Sequence, residues 1–178
     1  MSNSKKPKAK MCAPDFTAKD AARVIVADFE TFRLFRDKSA KRGFHSRIHA
    51  LIVLLSPTRS CLSVDPEIGT TCFEGYKSEM VRNAERRGKP LTKSEVILDH
   101  SVPVKCIYDE LEDLYAKRLL TVGRVEKLLR RMVVCALITR EEDAMLSKAG
   151  LRSSMPEGWP DDVFARYREC GIQIAKQR

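Results

Sequence analysis

The stretch from Met132 to Asp143, MVVCALITREED, decides how this chain is read. Met132 to Ile138 is an unbroken apolar run, shorter than a helix and of the length of a strand buried on both faces. Thr139 then opens Thr-Arg-Glu-Glu, a hydroxyl followed three residues on by a glutamate, which satisfies the free N–H groups of a helix's first turn. A strand therefore runs directly into a helix, and Gly150 closes it. Upstream, Glu95 to Asp99 is short, β-branched at its start and bounded by turn residues, so it reads as a second strand. Between the two, Ile107, Leu111, Leu114 and Tyr115 recur at helical spacing. Thr121 caps a further helix carrying Val122, Val125, Leu128 and Leu129.

Outside this region the pattern is helical. Thr17, with Asp20 three residues on, opens a helix whose apolar positions Ala21, Ala22, Ile25, Phe29 and Phe32 share one side, and which ends before Gly43. Its phenylalanines, with Phe35, read as core residues. A second helix, His45 to Leu55, places Ile48, Leu51, Ile52 and Leu55 on one face and stops at Ser56-Pro57. Residues 56–72 read as a loop. Phe73 to Arg87 reads as a helix with Tyr76, Met80 and Ala84 on one side, and Lys77, Arg82, Arg86 and Arg87 elsewhere, ended by Gly88 and Pro90. Near the C-terminus, Trp159 pins a turn onto the domain ahead of a short helix with Val163, Phe164 and Tyr167. The expected fold is α+β and mainly helical, with a small antiparallel β-hairpin. Its parts are a flexible basic arm at 1–15, a helical segment at 16–93, a core with a helical insertion at 94–150, and a turn and helix at 151–178.

The 178 residues include 33 Lys plus Arg against 24 Asp plus Glu, a formal +9, with 43% hydrophobic residues. A chain of this size and apolar content folds as one domain. Its apolar runs, Ala50 to Leu55 and Met132 to Ile138, are far short of a membrane span. The start, MSNSKKPKAK, lacks the apolar stretch of a signal peptide, and the six cysteines form no C-x-x-C pair. Both features predict a cytoplasmic protein with free thiols. Residues 1–60 hold 13 basic and 5 acidic side chains, so the excess charge is concentrated there. A basic block binds phosphate backbones by releasing counterions, which makes nucleic acid the favoured partner.

One constellation carries chemistry. Asp99 and His100 stand side by side at the end of the first core strand, ahead of Pro103. Aspartate supplies a hard oxygen ligand for a divalent ion, and imidazole takes protons near neutral pH. Val96 to Pro103 resembles the first strand of the HNH endonucleases, in which a D-H-x-x-P run opens the ββα-metal fold. Leu137 to Asp143 looks like that family's second strand and helix, with Asp143 where the family places its last histidine. The chain departs from the pattern at the middle asparagine, where Val134 stands, and in lacking structural zinc pairs. The resemblance covers residues 94–150 and implies a ββα-metal-like centre and a metal-dependent DNA endonuclease. By that resemblance Asp99 and Asp143 hold Mg²⁺ or Mn²⁺ and His100 activates the attacking water. Lys77, Arg82, Arg86, Arg87, Arg131 and Arg140 are the expected nucleic-acid contacts, with RNA also open as substrate. Two other readings stand beside this: a non-enzymatic basic nucleic-acid-binding or regulatory protein, and an inactive HNH-like interaction module. His45 and His49, spaced i, i+4, have no glutamate between them as in H-E-x-x-H and no evident third ligand, apart from a speculative link to Cys61 and Cys72. They read as surface or half-buried histidines.

Overall fold

The structure, a computed structural model, describes residues 16–32, 38–56, 63–64, 71–72, 75–159 and 161–176. The basic arm at 1–15, Phe35 and Cys61 lie outside them. Helix α1, Ala18–Phe32, starts as its sequence indicates. The Thr17 hydroxyl accepts from the Asp20 N–H, and the Asp20 carboxylate accepts from the Thr17 N–H and hydroxyl. Helix α2, Lys38–Leu55, begins earlier than expected and carries Gly43 within it. A mid-helix glycine costs roughly 1 kcal/mol. Packing outweighs it here, because Phe44, Ile48 and Ile52 are buried and the Phe44 ring meets Phe29 edge-on at 4.8 Å.

The segment read as a loop contains two short strands, β1 (Ser63–Val64) and β2 (Thr71–Cys72), paired antiparallel. The next expectation needs a larger correction. Tyr76–Ser78 is a strand, β3, and helix α3 covers only Glu79–Arg86, with the Ser78 side chain accepting from the Val81 N–H. The apolar anchor of α3 is therefore Val81, and Met80 is exposed. A Ser-x-x cap hidden inside the apparent helical period marked the true start.

Strand β4, Val96–His100, is followed by α4 (Val104–Ala116), α5 (Val122–Met132), β5 (Cys135–Thr139) and α6 (Arg140–Lys148). The Thr139 and Glu142 side chains form the expected reciprocal cap on α6. A short helix α7, Ala165–Glu169, and a last strand β6, Ile174–Lys176, complete the chain. The fold is α+β and mainly helical, as expected. Its sheet is larger than the expected hairpin: four strands in the order β4-β5-β3-β6, with β3 parallel to β5 and the other pairs antiparallel. Every residue of β5 is buried, which explains its unalternating apolar run.

Successive residues of a strand point to opposite faces, and each face has its own cover. Ala136, Ile138 and Ile97 pack with Leu146, Tyr167 and Ile172, beneath α6 and α7. Val96, Leu98 and Leu137 pack with Val81 of α3. The main core lies among α1, α2, α4 and α5, where Phe29 is ringed by Phe44, Tyr108 and Tyr115. Trp159 packs against this cluster. The segments read as separate parts of the sequence thus share one core, because α1 and α2 need α4 and α5 to bury their apolar faces.

At the end of α4 the Arg118 N–H bonds to the Tyr115 carbonyl and the Leu119 N–H to the Leu114 carbonyl, the two bonds of a Schellman cap. The left-handed residue of that cap is Arg118, at φ 57°. A Cβ is strained there, so Arg118→Gly is expected to raise unfolding free energy by about 0.5–1 kcal/mol. Urea denaturation of the two proteins checks it, and a loss of stability would be the contrary result.

Candidate active site

Asp99 and His100 are adjacent in β4, so their side chains leave on opposite faces of the sheet. Asp99 pairs with Ala136 on the face covered by α6 and α7. Its Oδ2 accepts from Tyr167 OH at 2.7 Å and from Arg166 Nη2. Arg166 is almost wholly buried, its side chain 2% exposed. Nε donates to the Ser101 carbonyl at 3.0 Å, Nη1 to the carbonyls of Leu151 and Arg152 at 3.0 and 3.3 Å, and Nη2 also to the His100 carbonyl. The guanidinium thus ties the end of β4 to the loop after α6. Burial pushes the Tyr167 phenol well above its ordinary pKa, and the Asp99 charge pushes in the same direction, so Tyr167 stays a proton donor.

His100 faces the other way and pairs with Cys135. Its Nε2 lies 2.9 Å from Ser56 Oγ, at the last turn of α2. Ser56 has one hydroxyl proton and donates it to the Ile52 carbonyl at 3.0 Å. The Nε2 atom therefore carries the imidazole proton and donates to Ser56. Nδ1 is left as the basic nitrogen, with no hydrogen bond to it among the described residues. Burial lowers the pKa of His100 below the usual histidine range, and the charges of Arg166 and His49 lower it further against the opposing effect of Asp99. The ring is neutral at pH 7. Beside it the Cys135 thiol is pushed up to about 11 by burial and is inert at that pH.

The lowered pKa makes a stability prediction with a definite sign. Between the folded pKa and the unfolded value near 6.5, unfolding takes up a proton. The stability of the neutral, buried ring is therefore complete above about pH 6.5, falls as the pH drops below it and levels off beneath the folded pKa. Asp20 and Glu95, whose pKa values are also lowered, act only below about pH 4.5. As the pH is lowered from 7 to 5, the melting temperature is expected to decline for the wild type and to stay flatter for His100→Gln. Identical slopes would contradict the assignment.

The two aspartates expected to share an ion stand on different elements, Asp99 on β4 and Asp143 on α6. Asp143 lies in the first turn of α6, beyond Thr139, which pairs with Val96 at the far end of β4 from Asp99. One Asp99 oxygen is already taken by Arg166 and Tyr167, and no three His, Cys, Asp or Glu residues among those described are placed to hold a metal. Asp143 instead complements the dipole of α6.

The expected basic surface is divided. Lys77 is not on a helix: it sits in β3, buried beneath α3, and its Nζ donates to Glu85 at 2.7 Å, so it is not available to a phosphate. Arg82, Arg86 and Arg87 remain on α3 and its C-cap, with Arg86 and Arg87 exposed. Arg140 braces the turn before β4, donating from Nε to the Ser94 carbonyl and from its backbone to Glu95. Arg131 ends α5 and approaches Asp161 at 3.7 Å. It is near the His100 end, since the carbonyl of Val134 accepts from the Ser101 N–H.

Ser56, Arg166 and Tyr167 were not singled out for chemistry by the sequence. Ser56 looked like a helix stop, and an arginine in a short C-terminal helix looks like a solvated one. Burial is what distinguishes them. Among the described residues, no helix is long and apolar enough to cross a membrane, and Cys106, Cys135 and Cys170 are free thiols. No family model, curated protein or solved structure matches the chain.

Proposed function

We propose that this protein is a cytoplasmic phosphodiesterase acting on nucleic acid, with His100 as its general base. The observation that carries this reading is the state of the His100 ring: its pKa is lowered by burial, its Nε2 is oriented by Ser56, and its Nδ1 has no hydrogen-bond partner among the described residues. Those are the properties of a base prepared to take a proton near neutrality. The formal +9 and the exposed Arg86 and Arg87 supply the attraction for a polyanion. Asp99 acts here as a positioning residue, held by Arg166 and Tyr167 so that β4 ends where His100 meets Ser56. The family resemblance implies DNA as substrate, and the test includes both nucleic acids. Purified wild type and His100→Ala, each checked for folding, are incubated with labelled DNA and RNA. Cleavage by the wild type and its loss in the variant is the expected result. Salt-dependent binding without cleavage by either protein supports the non-enzymatic reading instead, which is favoured by the capture of Asp99 in a structural ion pair.

A further inference from the structure

Helix α5 separates its apolar and charged residues sharply. It buries Val125, Leu128, Leu129 and Met132 against the main core. Gly123, Arg124, Lys127, Arg130 and Arg131 are exposed on it. The one acid of the helix, Glu126, is held by Arg130, whose Nε and Nη2 donate to its Oε1 at 3.0 and 2.9 Å. Arg124, Lys127 and Arg131 stand at i, i+3 and i+7, the spacing that keeps side chains on one face. They form a row about 10 Å long. Neither Arg124 nor Lys127 has an ion-pair partner among the described residues. Arg131 approaches Asp161 at 3.7 Å, and that carboxylate is fully exposed, so the pair gives way readily to a competing anion.

Gly123 shares this face, one turn ahead of Lys127. A side chain there would meet nothing within 4 Å, so packing inside the fold does not require a glycine. Its bareness lets a large neighbour come close to the first turn of the helix. The other end of the row points to the candidate base. Arg131 is the penultimate residue of α5, the Val134 carbonyl accepts from the Ser101 N–H at 2.8 Å, and Cys135 pairs with His100. A strand lying along α5 therefore runs toward the end of β4 that carries His100.

Shape and charge together select a partner. A helix with its side chains is about 10–12 Å across, and the major groove of B-form DNA is about 12 Å wide. Long cations on a convex helix face reach the phosphates that wall such a groove. The major groove of duplex RNA is too deep and narrow to admit them. Single strands are held by aromatic rings on which unstacked bases rest, and the exposed side chains of α5 are cationic rather than aromatic. We infer that the exposed face of α5 docks in the major groove of double-stranded DNA. The inference rests on the nucleic-acid reading above and gives it a substrate class, without drawing on the role of His100. It also adds Arg124 and Lys127 to the contacts expected from the sequence and moves the docking surface from α3, whose arginines act at longer range, to α5.

The test uses the full-length protein with excess chelator and three fluorescent probes of one random sequence: a DNA duplex, an RNA duplex and the DNA single strand. Anisotropy titrations between about 50 and 200 mM salt give affinity and its salt dependence. The wild type is expected to bind the DNA duplex about tenfold or more tightly than either other probe. In Arg124→Gln/Lys127→Gln/Arg131→Gln, the slope of log K against log salt should become shallower by about 2–3. Arg82→Gln/Arg86→Gln/Arg87→Gln removes the same charge from α3 and should change that slope by less than about 1. Gly123→Glu adds an acid to the first turn of α5, where the helix dipole and Lys127 four residues on both favour it. Its urea midpoint should hold or rise while its affinity for the DNA duplex falls about tenfold or more. That combination cannot come from misfolding.

A wild-type slope in the α5 triple variant, an equal loss in the α3 variant, or equal affinity for duplex RNA overturns this inference, and cleavage by wild type and His100→Ala still decides the phosphodiesterase reading. Binding through α5 without cleavage upholds the inference and removes that reading. Absence of binding to all three probes by the wild type overturns both.

Discussion

Arg166→Met is expected to lower the unfolding free energy by about 3–5 kcal/mol, enough to leave much of the protein unfolded if its stability is near the lower end of the usual ~5–15 kcal/mol range. Methionine fills a similar length of apolar space, so the loss is not one of volume. It is one of donors. The guanidinium of Arg166 serves the carbonyls of His100, Ser101, Leu151 and Arg152 and one oxygen of Asp99. Removing it leaves acceptors without their partner and a half-buried carboxylate without its counter-charge, in a medium where each costs more than in water. Lysine is expected to rescue only part of the loss, since a single ammonium cannot fork to the five acceptors on two chain segments. Urea denaturation of wild type, Arg166→Met and Arg166→Lys measures this. A methionine variant within about 1 kcal/mol of wild type would show that the network is dispensable.

His100→Ala is expected to lower kcat for nucleic-acid cleavage by about 10²–10⁴-fold, the usual contribution of one positioned base. KM should change little, because the strand is held by the basic surface rather than by this ring. The protein should remain folded, as Ser56 keeps its bond to Ile52 and loses only the imidazole partner. The pH profile adds a check that a merely structural histidine would fail. Since burial lowers the His100 pKa, the rising limb of kcat/KM in the wild type should lie below pH 6.5. Ser56→Ala, which frees Nε2, should shift that limb while leaving substrate binding intact. Cleavage by His100→Ala at the wild-type rate would remove the general-base assignment.

Much of the secondary structure was legible because its signals are local. The Thr17, Thr121 and Thr139 caps depend on residues within a few positions of one another and stand where they were expected, while the strand expected at 95–99 stands one residue on, at 96–100, and the strand expected over 132–138 is confined to 135–139, since Met132 ends α5. The misread segments are those in which distant packing overrode a local preference. Gly43 is carried inside α2 by the burial of Phe44, Ile48 and Ile52 against α1 and α4. Tyr76–Ser78 became a strand because β5 and β6 were there to pair with it on both sides. β6, only three residues long, has too little pattern to announce itself, and it exists through its partner.

The site divides in the same way. The sequence by itself determined that an acid and an imidazole stand together at a strand end, that a capped helix follows the central strand, and that the chain is basic enough to seek a polyanion. Those are matters of order and composition. Only the tertiary structure decided that Asp99 and His100 part to opposite faces, and that Arg166 and Tyr167 claim the first while Ser56 claims the second. Adjacent strand residues are always separated by the pleat, but what waits on each face is set by helices dozens of residues away. Their arrival depends on which apolar surfaces bury one another.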